Sequence, residues 1–179
     1  GIYLSHEMTP VEVAEIKARF DMDKPVWIQY FYWVRGIFQG DFGWSGVAAA
    51  PVSDVFPLKL AATMELAFCA GLVALFLGIT LGTYAGARRN QLPDHITRII
   101  AVSGASLPQF WFGIVLLIIF WAHLGIAPIG RSDATIFASI AHPTGLYTID
   151  AILAGSPKAL WDAIWHLILP ALTLGYGAT

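Results

Sequence analysis

Residues 66–87 form a block of 22 residues without a charge, and no other feature restricts the fold so strongly. As a helix rising 1.5 Å per residue the block is about 33 Å long, against a hydrocarbon core of about 30 Å. In water it would need polar-faced neighbours on every side. The chain cannot supply them, since 57% of its 179 residues are hydrophobic and 12% are charged, where a soluble domain carries about 25%. A transmembrane helix follows. A second charge-free run, 99–130, predicts a helix over about 104–124, kinked near its start by Pro108, which removes a backbone donor. A third run, 163–179, contains Pro170. The expected fold class is all-α: a polytopic transmembrane helix bundle with an extracytoplasmic helical segment.

Basic residues set the orientation. The connection 88–98 holds Arg88, Arg89 and Arg98, whereas 125–162 holds only Arg131 and Lys158, so 88–98 is read as a cytoplasmic loop and 125–162 as an outer loop. The expected division is then an extracytoplasmic segment, 1–64, and a transmembrane region, 65–179. The outer segment carries two short helices. Thr9-Pro10-Val11-Glu12 is a capping box that opens a helix running to Phe20. A second covers 26–38, with Trp27, Phe31, Val34 and Phe38 at helical spacing, until Gly40-Asp41-Phe42-Gly43 turns the chain. Its aromatics suit either a bilayer surface or packing on the outer ends of the spans. The first 20 residues lack a signal-peptide pattern. The chain starts at Gly1 and stops at Thr179 within an apolar run, so it reads as a piece of a longer protein.

Other classes find little support. A net charge of −2 provides no basic face for nucleic acid. The single cysteine, Cys69, lies in an apolar block and reads as a small buried hydrophobe. The histidines His6, His95, His123, His142 and His166 are too scattered for a metal motif; His6, His95 and His142 read as surface residues, His123 and His166 as water-interface residues. No phosphate-binding loop of the GxxxxGK[ST] type occurs, so any ATP is expected on another subunit. Ala70, Ala74, Gly78, Gly82 and Gly86 recur every four residues and form a candidate helix-packing face. Ser103, Ser106, Pro108 and Gln109 are the polar or helix-breaking residues at the start of the second span. They form a candidate substrate path, with serines bonded back to their own helix as the equal alternative. Gly43-Trp44-Ser45-Gly46 has the form seen around the nucleophile of rhomboid-type intramembrane serine proteases, with His166 in a membrane segment. That resemblance is thin, because Ser45 falls in a turn well ahead of the first span.

Several ordered blocks carry a broader resemblance. They are Phe20-Asp21-Met22-Asp23-Lys24-Pro25-Val26-Trp27-Ile28-Gln29-Tyr30, then Gly36 with Gly40-Asp41-Phe42-Gly43, then Ala62-Thr63-Met64-Glu65-Leu66. The blocks continue through 82–89, through Ser106-Leu107-Pro108-Gln109-Phe110-Trp111-Phe112-Gly113, and through His166-Leu167-Ile168-Leu169-Pro170-Ala171-Leu172-Thr173-Leu174-Gly175. Over essentially its whole length the chain resembles the permease subunits of ABC importers for dipeptides, oligopeptides and nickel, most of all the dipeptide permease B type. The resemblance implies the binding-protein-dependent ABC importer fold in the cell (inner or cytoplasmic) membrane, crossing it several times. It further implies a second homologous permease, two ABC ATPase subunits that bind ATP and Mg, and an extracytoplasmic solute-binding protein, with no cofactor and no catalytic or metal residue in this chain. The family's first span and its cytoplasmic Glu-Ala-Ala loop are not in this sequence. The implied mechanism is alternating access driven by the ATPase partners; an ATP-independent transporter or channel is the competing class.

Overall fold

The computed structural model describes residues 24–178 and is mostly helical. The helix expected after Thr9 lies outside the described residues, as does His6. The chain forms two compact units, Gly1–Lys59 and Leu60–Thr179.

In the first unit, α1 (Val26–Phe38) occupies the range its aromatic spacing predicts, and no residue of it is buried. It stops where the turn residues stand: Gly40 and Gly43 take φ +83° and +80°, and Asp41 Oδ1 accepts the Gly43 N–H at 2.9 Å. A minimal antiparallel hairpin follows, β1 (Trp44–Ser45) with β2 (Ala50–Pro51), in which Ser45 lies opposite Ala50.

The next helix, α2 (Val52–Ala87), has 36 residues, about 54 Å at helical rise. It contains the whole charge-free block. Thr80 and Thr83 donate their hydroxyls to the carbonyls of Phe76 and Ile79, so neither side chain presents an unpaired donor to an apolar solvent. The chain then reverses over Arg88 and Arg89 with Asn90 at φ +62°, and the Asn90 N–H is caught by Asp94 Oδ2 at 2.9 Å. The expected loop 88–98 is therefore corrected, because α3 (Leu92–Ser106) starts at Leu92 and Arg98 lies on it, 3.5 Å from Asp94.

The second expected span is also corrected. Pro108 does not kink a helix but separates two. Leu107 and Pro108 are both extended, as a residue before proline prefers, and the chain bends by 102° between α3 and the pair formed by α4 (Gln109–Leu117) and its π-helical continuation, Ile118–His123. Among the described residues α2 is long and apolar enough to cross a membrane, and the bent pair is a second such element if taken as one span.

The expected outer loop, 125–162, holds α5 (Ala134–Phe137), α6 (Tyr147–Leu153) and the start of α7 (Pro157–Gly177). Ser156 caps α7 and Pro157 opens it, so this helix begins six residues before the expected 163. Lys158, Asp162 and His166 keep its first half too polar for it to count beside α2.

Within the second unit α7 is central, packing against α3, α4, α5 and α6. Its buried residues are Ala159, Ala163, His166, Ala171, Thr173 and Gly175. Among the described residues the buried hydrophobic ones are all alanines, whereas Leu72, Leu75 and Phe76 on α2 are 52%, 61% and 68% exposed. Small residues inside and large apolar ones outside is the pattern of helices solvated by lipid.

Candidate functional site

The described part of the expected α2 packing face divides in two. Ala70 is buried and Ala74 is half-buried, and Gly78 lines a small recess with Tyr176. Gly82 and Gly86 are exposed, and a Cβ on either would meet nothing within 4 Å. The close approach is made from the other side. A Cβ at Gly175 of α7 would lie 2.6 Å from Val73 Cγ1 and 2.9 Å from the Ala70 carbonyl oxygen. Gly104 of α3 meets α7 just as tightly, with the Tyr176 carbonyl oxygen 2.9 Å from its Cβ position.

The candidate substrate path also separates. Ser103 donates to the Ile100 carbonyl at 2.8 Å and lies 2.6 Å from the Tyr176 hydroxyl, which itself reaches the Ile100 carbonyl at 2.9 Å. Ser103 thus fastens α3 to α7. Ser106 is exposed and Pro108 forms the bend. Ser103 also lines an open pocket of about 450 Å³ with His95 and Arg98, and Gln109 lines a larger groove. Its volume is about 560 Å³, and Phe110, Gly113, His166, Pro170 and Thr173 also line it. Thr173 returns its hydroxyl to the Leu169 carbonyl at 2.8 Å, keeping its oxygen lone pairs available.

A smaller recess, about 250 Å³, adjoins it and is lined among others by Glu65, Arg131, Tyr147 and His166. Here the structure assembles a polar cluster that sequence reasoning missed. Glu65 is 6% exposed at the edge of the charge-free block. One of its carboxylate oxygens accepts the Thr148 N–H and hydroxyl, both at 2.7 Å; the other accepts Arg131 Nη2 at 2.8 Å. Arg131 also donates to the Gly145 carbonyl and stacks on Tyr147, 3.7 Å from the ring centroid. Gly145, at φ +73°, brings the segment against Ala61, whose Cβ would be 3.2 Å from an added Cβ. Beside it Asp150, 1% exposed, accepts the Thr144 and Gly145 N–H groups and the Thr144 hydroxyl. Together these bonds fix the segment between α4 and α7 onto α2. The only visible signal was the quoted Met64-Glu65-Leu66 step, a carboxylate abutting an apolar run.

His142 and His166 are corrected from surface and interface positions. His142 stacks on Phe137, with centroids 4.0 Å apart, and its side chain is 16% exposed. His166 is 8% exposed, with Nδ1 2.8 Å from the Asp162 carbonyl oxygen and 3.4 Å from Oδ1. Ser45, the rhomboid-like serine, accepts the Ala48 N–H at 3.2 Å within its own turn. Cys69, expected to be buried, is half-buried. Among the described residues no group of three or more His, Cys, Asp or Glu could hold a metal ion.

No protein-family model matches the chain. It is similar, over 92% of its length and with 39% identity, to the probable D,D-dipeptide transport system permease protein DdpB of Escherichia coli K12, covering 48% of that protein. It is 35% identical to the dipeptide transport system permease protein DppB of the same strain, over 94% of this chain and 50% of the relative. The putrescine export system permease protein SapB, also of that strain, is 34% identical over 86% of this chain and 49% of its own. The chain spans about half the length of the curated relatives it matches, and throughout that half the resemblance to peptide-transport permeases holds.

Proposed function

We propose, from that kinship, that the chain forms membrane-spanning helices of a permease subunit in an ATP-driven importer of peptides. The observation that carries the reading is similarity to peptide-transport permeases over about nine-tenths of the chain, together with a helix long and apolar enough to span a bilayer. In this reading the subunit is not an enzyme. It pairs with a second permease, docks on two ABC ATPase subunits that bind ATP and Mg, and receives solute from an extracytoplasmic binding protein. It crosses the cell membrane several times, with Arg88 and Arg89 on the cytoplasmic side. Peptide is favoured as cargo because two of the three named relatives carry dipeptide transport in their names, while SapB is named for putrescine.

Chemistry in this permease reduces to binding and reorientation. ATP binding and hydrolysis in the partners shift the packed helices between outward- and inward-open arrangements, and the solute gains access from one side at a time. The bend at Leu107 and Pro108, both extended and the second without an N–H, supplies a joint between two helical arms, α3 and α4. The test is uptake of labelled dipeptide by cells lacking their own peptide permeases, given the complete gene and its partner subunits. Accumulation that stops on ATP depletion is expected. Accumulation that survives deletion of the ATPase subunits and collapses only with an uncoupler would overturn the ATP-driven reading.

A further inference from the structure

The groove of Gln109 and Thr173 and the recess of Glu65 and Arg131 meet at Leu66, Gly130, His166 and Pro170, the residues that line both. Of the four only His166 has a polar side chain. Its ring is aimed: Nδ1 is the donor toward the Asp162 carbonyl, and Asp162 is itself held by the Ser132 hydroxyl at 2.6 Å and the Asp133 N–H at 3.0 Å. With Nδ1 carrying the proton, the neutral ring keeps a lone pair on Nε2. No described group bonds Nε2. His166 itself lines both recesses although it is 8% exposed. Pro170 adds a second acceptor. Standing four residues on, it has no N–H to return to the His166 carbonyl, as an ordinary helical residue would.

We propose that His166 is a hydrogen-bond acceptor for a transported solute, offering Nε2 and its own carbonyl to N–H groups where the two recesses join. The solute class is one that bears an ammonium or amide N–H, and a peptide bears both. The assignment rests on the peptide-permease reading for its cargo. Leu66, Phe110 and Leu169 supply apolar wall beside this acceptor, the last two in the larger groove.

The experiment compares two substitutions in the complete transport system. His166→Asn keeps a donor near Asp162 and removes the Nε2 acceptor; His166→Gln returns an amide oxygen near the Nε2 position. With assembly checked by co-purification of the partner subunits, His166→Asn should lower uptake of sub-saturating dipeptide about tenfold, and His166→Gln should stay within about threefold of the parent. Equal uptake by His166→Asn and the parent, a loss as deep in His166→Gln, or failure of both variants to assemble overturns the acceptor role. If the parent system takes up no peptide, the peptide-permease reading fails on its own. The acceptor is then decided by diethyl pyrocarbonate on the assembled parent protein: carbethoxylation of His166 supports an open ring nitrogen, and an unmodified His166 overturns it.

Discussion

Glu65 lies one residue ahead of a charge-free block, where a bare carboxylate could not remain charged without partners. It has three donors, two from Thr148 and one from Arg131, and the pair is the main fastening of the connecting segment to α2. Without Glu65, Arg131, a third exposed, keeps the Gly145 carbonyl and the Tyr147 ring, while Thr148 loses its acceptor. Glu65→Ala should therefore destabilise the folded protein by about 1–3 kcal/mol, seen as a lower melting temperature in detergent, whereas Glu65→Gln, which still accepts from Thr148, should lose less. Asp133 differs, because it is a surface cap. The Thr135 hydroxyl and the N–H groups of Thr135 and Ile136 hold its carboxyl below the usual value of 3.8. A carboxyl with a lowered folded pKa stabilises above its unfolded value and loses that contribution as pH falls through the folded one. Amide exchange at Thr135 and Ile136, corrected for intrinsic rate, should stay slow down to about pH 3.8 and accelerate in stronger acid, and Asp133→Ala should remove the transition.

Among the elements, the small-residue spacing on α2 marks a face that another helix can approach; Ala70 on it is buried, while Gly82 and Gly86 are exposed. Ala159, Ala163, Ala171 and Gly175 on α7 have the same spacing of four, with Leu167 filling the remaining position, and all four are buried, as are His166 and Thr173 beside them. A periodic small face shows that a helix can be approached, but it does not show by which neighbour. Gly175→Ala should consequently cost about 1–3 kcal/mol, because its methyl would press on Val73 and the Ala70 backbone. Gly82→Ala should change the isolated chain by less than about 1 kcal/mol. Gly82→Leu then reports on contacts outside this chain: loss of uptake with an unchanged melting temperature would mark Gly82 as a surface for another subunit. Pro108 was legible as a disturbance and not as a break, since that depends on Leu107 also staying extended. Glu65 beside an apolar run was visible, but nothing local marked Arg131, 66 positions on, as its partner. By contrast α1 was readable throughout, since its aromatic period and the glycine turn after it are local signals.

At the scale of the whole molecule the longest readable signal was the absence of charge, and it gave the membrane setting directly. Orientation is a separate matter and can be measured. In a Cys69→Ser background, a cysteine at Ser139 should react with a membrane-impermeant maleimide in intact cells, and one at Asn90 only after permeabilisation; the reverse pattern would invert the topology. A core of alanines has a different kind of consequence, for how this sequence can vary. An interior alanine has one smaller replacement, glycine, and any larger residue adds volume where helices already touch. On the permease reading, the exposed leucines and phenylalanines of α2 are open to acyl chains, which solvate every large apolar side chain about equally well. Tolerance to mutation is therefore inverted with respect to a water-soluble protein. Drift in a substitution library should run along the outside, among residues of one chemical kind and many shapes, while the small interior positions stay fixed in size.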